Sequence, residues 1–162
     1  GDMLGLASFS SDVKILEITR DKSGSVVIQK LMALLGHKSS VLNLSIAADG
    51  SRAVSSSKDG TWKMWKMDIE FKGVANPECL LTATHPEKGQ YFDLVRLSPG
   101  CSRIVAVTNK SRTVYLYTAE GQLVHTILSA HTDLVTSVGW VEENLFVTSS
   151  RDKTLKVWWF AK

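Results

Sequence analysis

Two groups of side chains in this chain have the composition of a hydrolytic centre. His37, Ser55 and Asp59 supply an imidazole, a hydroxyl and a carboxylate, and His131, Thr148 and Asp152 supply the same three groups further on. In nucleophilic catalysis the hydroxyl attacks, the imidazole takes its proton and the carboxylate orients the ring. The spacing argues against that use. His to Asp is 22 residues in the first group and 21 in the second, and Trp65 and Trp158 each follow the Asp by 6. The flanking sequence repeats as well: Ser55-Ser56-Ser57-Lys58-Asp59-Gly60-Thr61-Trp62-Lys63-Met64-Trp65 against Thr148-Ser149-Ser150-Arg151-Asp152-Lys153-Thr154-Leu155-Lys156-Val157-Trp158. An active site is not normally built once per repeat. Nothing in the sequence points to a substrate pocket or an oxyanion site either. No catalytic residue, metal site or cofactor is expected.

The segments carrying these groups read as short strands. Val41 to Ile46 alternates apolar and polar residues, as a half-buried strand does, and Ala48-Asp49-Gly50-Ser51 is turn chemistry. With strands named a to d outward from an axis, residues 52–56, 61–67 and 79–84 are b, c and d of this unit. Asp68 to Glu78, with Gly73 and Asn76-Pro77, reads as a long connection. A second unit runs through residues 92–97, 103–108, 113–117 and 123–128, with Glu120-Gly121 as its hairpin turn. A third runs through 134–141, 145–149 and 154–160. Ahead of them, 4–9, 13–18 and 26–34 read as b, c and d of a unit without strand a. No segment reads as a long amphipathic helix. The implied divisions are 1–35, 36–84, 85–130 and 131–162.

Composition bounds the class. The 162 residues are 44% hydrophobic and 22% charged, with net charge +3, ordinary for a globular chain and no evidence for nucleic acid on its own. Cys79 and Cys101 stand outside any zinc-like spacing and read as free, buried thiols of a reducing compartment. No apolar run approaches the ~18 residues that cross a bilayer, and no basic-then-apolar leader opens the chain. A cytoplasmic setting without membrane contact is expected. The abrupt Gly1-Asp2-Met3 start suggests a fragment boundary.

A Gly-His start at Gly36-His37 and a Trp-Asp-like end at Trp65, at a period of about 40–45 residues, resembles a WD40 repeat. The resemblance runs from about Leu4 to Phe160 and implies an all-β fold, a partial propeller of about three and a half blades. It implies that each tetrad, His37, Ser55, Asp59 and Trp65 or His131, Thr148, Asp152 and Trp158, meets inside a blade. There Asp orients the imidazole, the hydroxyl bridges to it and the indole N–H donates to the hydroxyl, a satisfied network that fixes register. The middle unit departs from this pattern, with Tyr117, Ser111 and Val107 at the Trp, Asp and hydroxyl positions and His85 shifted in spacing. In the opening unit Leu16 stands at the Trp position. These two degenerate units are expected to be less rigid than the regular ones. Trp62 and Trp159, out of phase with Trp65 and Trp158, are expected between blades.

A narrower resemblance, to the C-terminal half of the transducin-beta-like family, is carried by residues 57–65, continuing into Asp68-Ile69-Glu70-Phe71-Lys72, and by Asp12 to Ile18. Lys66 departs from it, standing where Asp usually follows the Trp. This resemblance implies a non-enzymatic protein-interaction scaffold whose parent is anchored to the endoplasmic reticulum by a segment absent here. Three and a half blades leave open edges, which a longer parent or a second copy of the chain would cover.

In such a ring the b–c turns and d–a loops share one face. Lys58, Lys110 and Arg151 take equivalent turn positions, Arg112 and Lys153 lie beside them and Lys38 follows His37. A solvated loop face explains such charge. The sharper expectation is a rim for acidic or phosphorylated protein segments, with RNA phosphate as the alternative.

Overall fold

The computed structural model describes residues 2–67 and 77–160. The long connection read at Asp68 to Glu78 lies almost wholly outside the described residues, as do Asp68 to Lys72 of the narrower resemblance. The described residues form antiparallel strands and no helix. The first sheet has three strands, β1 (Asp2–Leu6), β2 (Val13–Arg20) and β3 (Val26–Leu34), in the order β1-β2-β3. The second has four, β4 (Val41–Ile46), β5 (Arg52–Ser57), β6 (Thr61–Lys66) and β7 (Glu78–Thr84), in chain order. The third repeats this with β8 (Leu94–Leu97), β9 (Arg103–Thr108), β10 (Thr113–Thr118) and β11 (Leu123–Ile127). The last has β12 (Val135–Glu142), β13 (Leu145–Ser150) and β14 (Leu155–Trp159). The architecture of the described residues is thus all-β, an open series of antiparallel sheets in which the first and last have three strands and the two between them four.

The first strand begins and ends earlier than the sequence reading of 4–9. The Ser8-Phe9-Ser10-Ser11-Asp12 stretch turns instead, because the Ser8 and Ser10 hydroxyls bond each other at 3.0 Å and Ser10 Oγ donates to the Asp12 carbonyl. Phe92 likewise leaves strand a and packs, fully buried, against His85 and Tyr115.

Alternation of side chains gives each sheet two apolar faces, and neighbouring sheets bury them against each other. Val13, Ile15 and Leu34 of the first sheet meet Val41, Ala53 and Trp65 of the second. Val54, Trp62 and Met64 meet Val95, Ile104, Tyr115 and Tyr117 of the third. Val105, Val107 and Leu116 meet Val135, Val138 and Phe146 of the last. Trp62 is sequestered between sheets, its indole edge-on to Tyr117 at 5.3 Å. Trp159 is not. It is 69% exposed, on a face with Leu155 at 73% and Val157 at 65%, against which no described sheet packs. At the other end Leu4, Leu6 and Ile28 are exposed on the face of the first sheet turned away from the second. Cys79 is exposed on outer strand β7 and Cys101 half-buried, so the buried-thiol expectation is corrected; both are free.

Polar groups tie the inner strands together. Asn43 Oδ1 accepts from the Val95 amide at 3.1 Å and from Arg96 Nη1, and Trp140 Nε1 donates to the Arg96 carbonyl at 3.2 Å. At the a–b hairpins, Glu143 accepts from Ser98 Oγ at 2.6 Å, from the Gly100 amide at 2.7 Å and from Ser102 Oγ. This carboxylate clamps the last sheet to the third.

Candidate functional site: polar networks and the loop rim

The sequence Ser-Lys-Asp-Gly-Thr closes β5 and opens β6, so Asp59 sits in the turn with its carboxylate folded back over it. Asp59 Oδ1 accepts from the Thr61 amide at 2.9 Å and from Thr61 Oγ1 at 2.6 Å. Its Oδ2 accepts from the Lys38 amide at 2.8 Å and from His37 Nδ1 at 3.0 Å. The other ring nitrogen, Nε2, lies 2.8 Å from Ser55 Oγ, which also accepts from Trp65 Nε1 at 2.8 Å. The serine proton therefore points at Nε2, and the imidazole carries its proton on Nδ1. Burial pushes the His37 pKa below its ordinary value, against the pull of Asp59, so the ring is neutral. Burial alone would raise the Asp59 pKa, but its hydrogen bonds outweigh this and hold it low.

The last sheet repeats the arrangement. His131 Nδ1 donates to Asp152 Oδ2 at 2.8 Å, Nε2 lies 2.7 Å from Thr148 Oγ1, and Trp158 Nε1 donates to that oxygen at 2.9 Å. Thr154 Oγ1 and the Thr132 amide complete the bonds to Asp152, whose pKa falls well below the carboxylate range, chiefly through Thr154. All eight side chains are thus brought together as two tetrads. Neither is built to attack a substrate, because Ser55 and Thr148 are both 0% exposed. Among the described residues no three acidic, His or Cys side chains group to hold a metal ion.

In the third sheet the hydroxyl partner is Thr108 rather than the position of Val107. Val107 faces the last sheet, whereas Thr108 Oγ1 lies 2.8 Å from His85 Nε2 and donates to the Tyr91 carbonyl at 3.1 Å. Since His85 Nδ1 accepts from the Glu87 amide at 3.0 Å, its proton is on Nε2, the opposite tautomer to His37. The sequence hid this pair because the helper at Nδ1 is a backbone amide, which leaves no side-chain signature.

The cations occupy the loop face. Lys38, Lys58, Lys110, Arg151 and Lys153 are exposed, while Arg112 is half-buried with its Nε lacking a partner. The third residue of each b–c turn is left-handed: Gly60 at φ +84°, Arg112 at 52° and Lys153 at 67°. Only glycine takes this conformation freely. Among the described residues the ion pairs are the two His–Asp contacts, so none of these cations is neutralised by a carboxylate. Sequence reasoning missed Phe9, which is 88% exposed on the first sheet's b–c connection with the Lys58 ammonium 5.8 Å from its ring centre. The Ser-rich turn around it was the available signal.

Comparison with known proteins agrees with this geometry. The family model described as WD domain, G-beta repeat, matches residues 28–66 and 121–158. Each match covers an outer strand and the a, b and c strands of the next sheet, and includes one complete tetrad. These two stretches are WD40 repeats. It is similar to transducin beta-like protein 2 of Homo sapiens, 28% identical over 160 residues, 97% of this chain and 35% of that protein. The Mus musculus counterpart is 26% identical over 155 residues, covering 95% and 35%. A ribosome biogenesis protein WDR12 homolog of Drosophila mojavensis is 28% identical over 131 residues, 71% of this chain and 30% of that protein. The chain therefore spans about a third of the length of these relatives.

Proposed function

We propose that this chain is a non-enzymatic protein–protein interaction scaffold that seats partners on the rim where its b–c turns and d–a loops meet. The observation that carries this reading is the set of exposed, unneutralised cations at equivalent turns, Lys58, Lys110 and Arg151, held on rigid strand ends. The tetrads are the framework of the Lys58 and Arg151 turns, and their hydroxyls are closed to solvent. Acidic or phosphorylated protein segments complement such a rim through charge-assisted hydrogen bonds. Reversing charge at Lys58 and Arg151 together is expected to weaken capture of an acidic bait peptide while the melting curve stays unchanged. Retained capture would remove the rim from the account.

A second reading has its own support. Phe9 beside Lys58 has the elements of a base-stacking platform, and relatives named for ribosome biogenesis give RNA a setting. Phosphate-backbone binding would fall steeply with salt, which separates it from the first reading. An endoplasmic-reticulum setting rests on the narrower sequence resemblance alone. Among the described residues no helix is long and apolar enough to cross a membrane.

A further inference from the structure

Resting on the rim reading above, we infer that an extended acidic segment of a partner protein, with an apolar side chain at one end, lies along a track from Phe9 to Arg151. The track consists of two clefts that share a wall. The first is lined by Lys58, Asp59, Gly60, His85, Glu87 and Lys88 and ends at Gly89 and Gln90. The second starts at those same two residues and runs past Tyr91, Asp93 and Lys110 to Leu134. Phe9 extends the first cleft through its contact with Lys58. Arg151 stands beside the far end of the second, where its amide donates to the Leu134 carbonyl at 2.9 Å. The line crosses sheet boundaries and uses only part of the rim. Lys38, Arg112 and Lys153 do not line either cleft.

The chemistry along the track selects the occupant. Lys58, Lys88, Lys110 and Arg151 offer positive charge at intervals, without carboxylate partners among the described residues. Glu87 and Asp93 stand between them, and the Asp59 carboxylate beside Lys58 is turned inward to His37, the Lys38 amide and Thr61. A strand with one phosphate per residue would meet those carboxylates, whereas a peptide can place Asp or Glu opposite the cations and neutral residues opposite the acids. Phe9 is the most exposed large apolar side chain described, at 88%, and its ring presents a surface for an aliphatic or aromatic anchor. The shared wall is preset. His85 accepts from the Glu87 amide at one ring nitrogen and bonds Thr108 at the other, and Gly60 lets the first turn approach Gln90, whose carbonyl lies 3.0 Å from where a Cβ would be. Such rigidity lowers the ordering cost of binding.

The test is fluorescence anisotropy on the purified chain with a labelled peptide that alternates Glu and Ser and ends in Leu-Phe. The same peptide ending in Ser-Ser and an oligouridine of equal charge serve as competitors. Phe9→Ala and Lys110→Glu are each expected to weaken binding roughly tenfold, the size of a hot-spot loss, while Lys38→Glu and Lys153→Glu change it about twofold or less. All four side chains are exposed, and thermal melts check that each variant folds. If the peptide binds but only Lys38→Glu or Lys153→Glu weakens it, the track is wrong and the broader rim reading survives. If the unaltered chain does not bind the acidic peptide, both fall. If oligouridine displaces the peptide at lower concentration with a steep salt dependence, the occupant is RNA and the peptide inference is overturned.

Discussion

His131 shows what a buried polar side chain does when it has every partner it needs. It accepts through one nitrogen and donates through the other, and removing it would leave Asp152 and Thr148 with unmatched groups inside a closed network. His131→Ala is therefore expected to cost ~1–3 kcal/mol of folding stability, read by chemical denaturation. Unchanged stability with loss of some hydrolytic activity would restore the catalytic reading. Lys153 carries the opposite situation, a side chain on a left-handed backbone that glycine occupies at the same place in the second sheet. Lys153→Gly is expected to raise stability by up to ~1 kcal/mol through relief of that strain, and a lower midpoint in denaturant would contradict it. The pH response belongs at this scale too. His37 and His85 both have pKa values depressed by burial, below the ordinary 6.5. The unfolded chain then binds more protons than the folded one in acid, so their contribution is complete above pH 6.5 and is lost as pH falls below it. Asp59 and Asp152 act in the same direction further down, with contributions lost below their unfolded value of 3.8. Melting temperature should drop from pH 7 toward pH 5, and a flat profile would show that these rings are not held neutral.

At the scale of elements, the tetrads made two sheets legible in the sequence, because side chains of fixed type recur at fixed spacing. The strands between them were legible from alternation and turn residues. The third sheet was harder. Its histidine is served by the Glu87 amide and by Thr108, one residue beyond the aligned hydroxyl position, and backbone partners are silent in a sequence. Phe9 was assigned to a strand because an aromatic residue after alternating apolar ones looks like a strand end, and only the serine hydrogen bonds turn the chain there. Trp159 was expected between sheets because its phase is right, but burial needs a neighbour as well as a phase. The degenerate units were expected to be less rigid, yet β9 and β10 of the third sheet are packed on both faces and are almost wholly buried. Their amides should exchange more slowly than those of β13 and β14 in hydrogen–deuterium exchange; the reverse order would mean that the tetrad outweighs position in the stack. The Glu143 clamp, invisible without the fold, holds two hairpins together. Glu143→Ala should cost on the order of 1 kcal/mol, since three donors lose a charged acceptor at a partly solvated site.

The described sheets together have two uncovered apolar faces and one decorated face. Leu155, Val157 and Trp159 at one end and Leu4, Leu6 and Ile28 at the other are apolar surfaces of the kind that neighbouring sheets cover elsewhere in the fold. They make association of copies of this chain an expected outcome at high concentration, visible as a mass above 17.8 kDa in light scattering. The decorated face is where the account places function. The measurement that decides between the face and the ends is hydrogen–deuterium exchange of the chain with and without the acidic peptide. Slowed exchange in residues 58–60, 85–91 and 108–110, with β14 and the first sheet unchanged, is the predicted result. Slowed exchange confined to β14 or to β1–β3 would mean that partners seat on the apolar ends, and the rim would then be only a solvated loop surface.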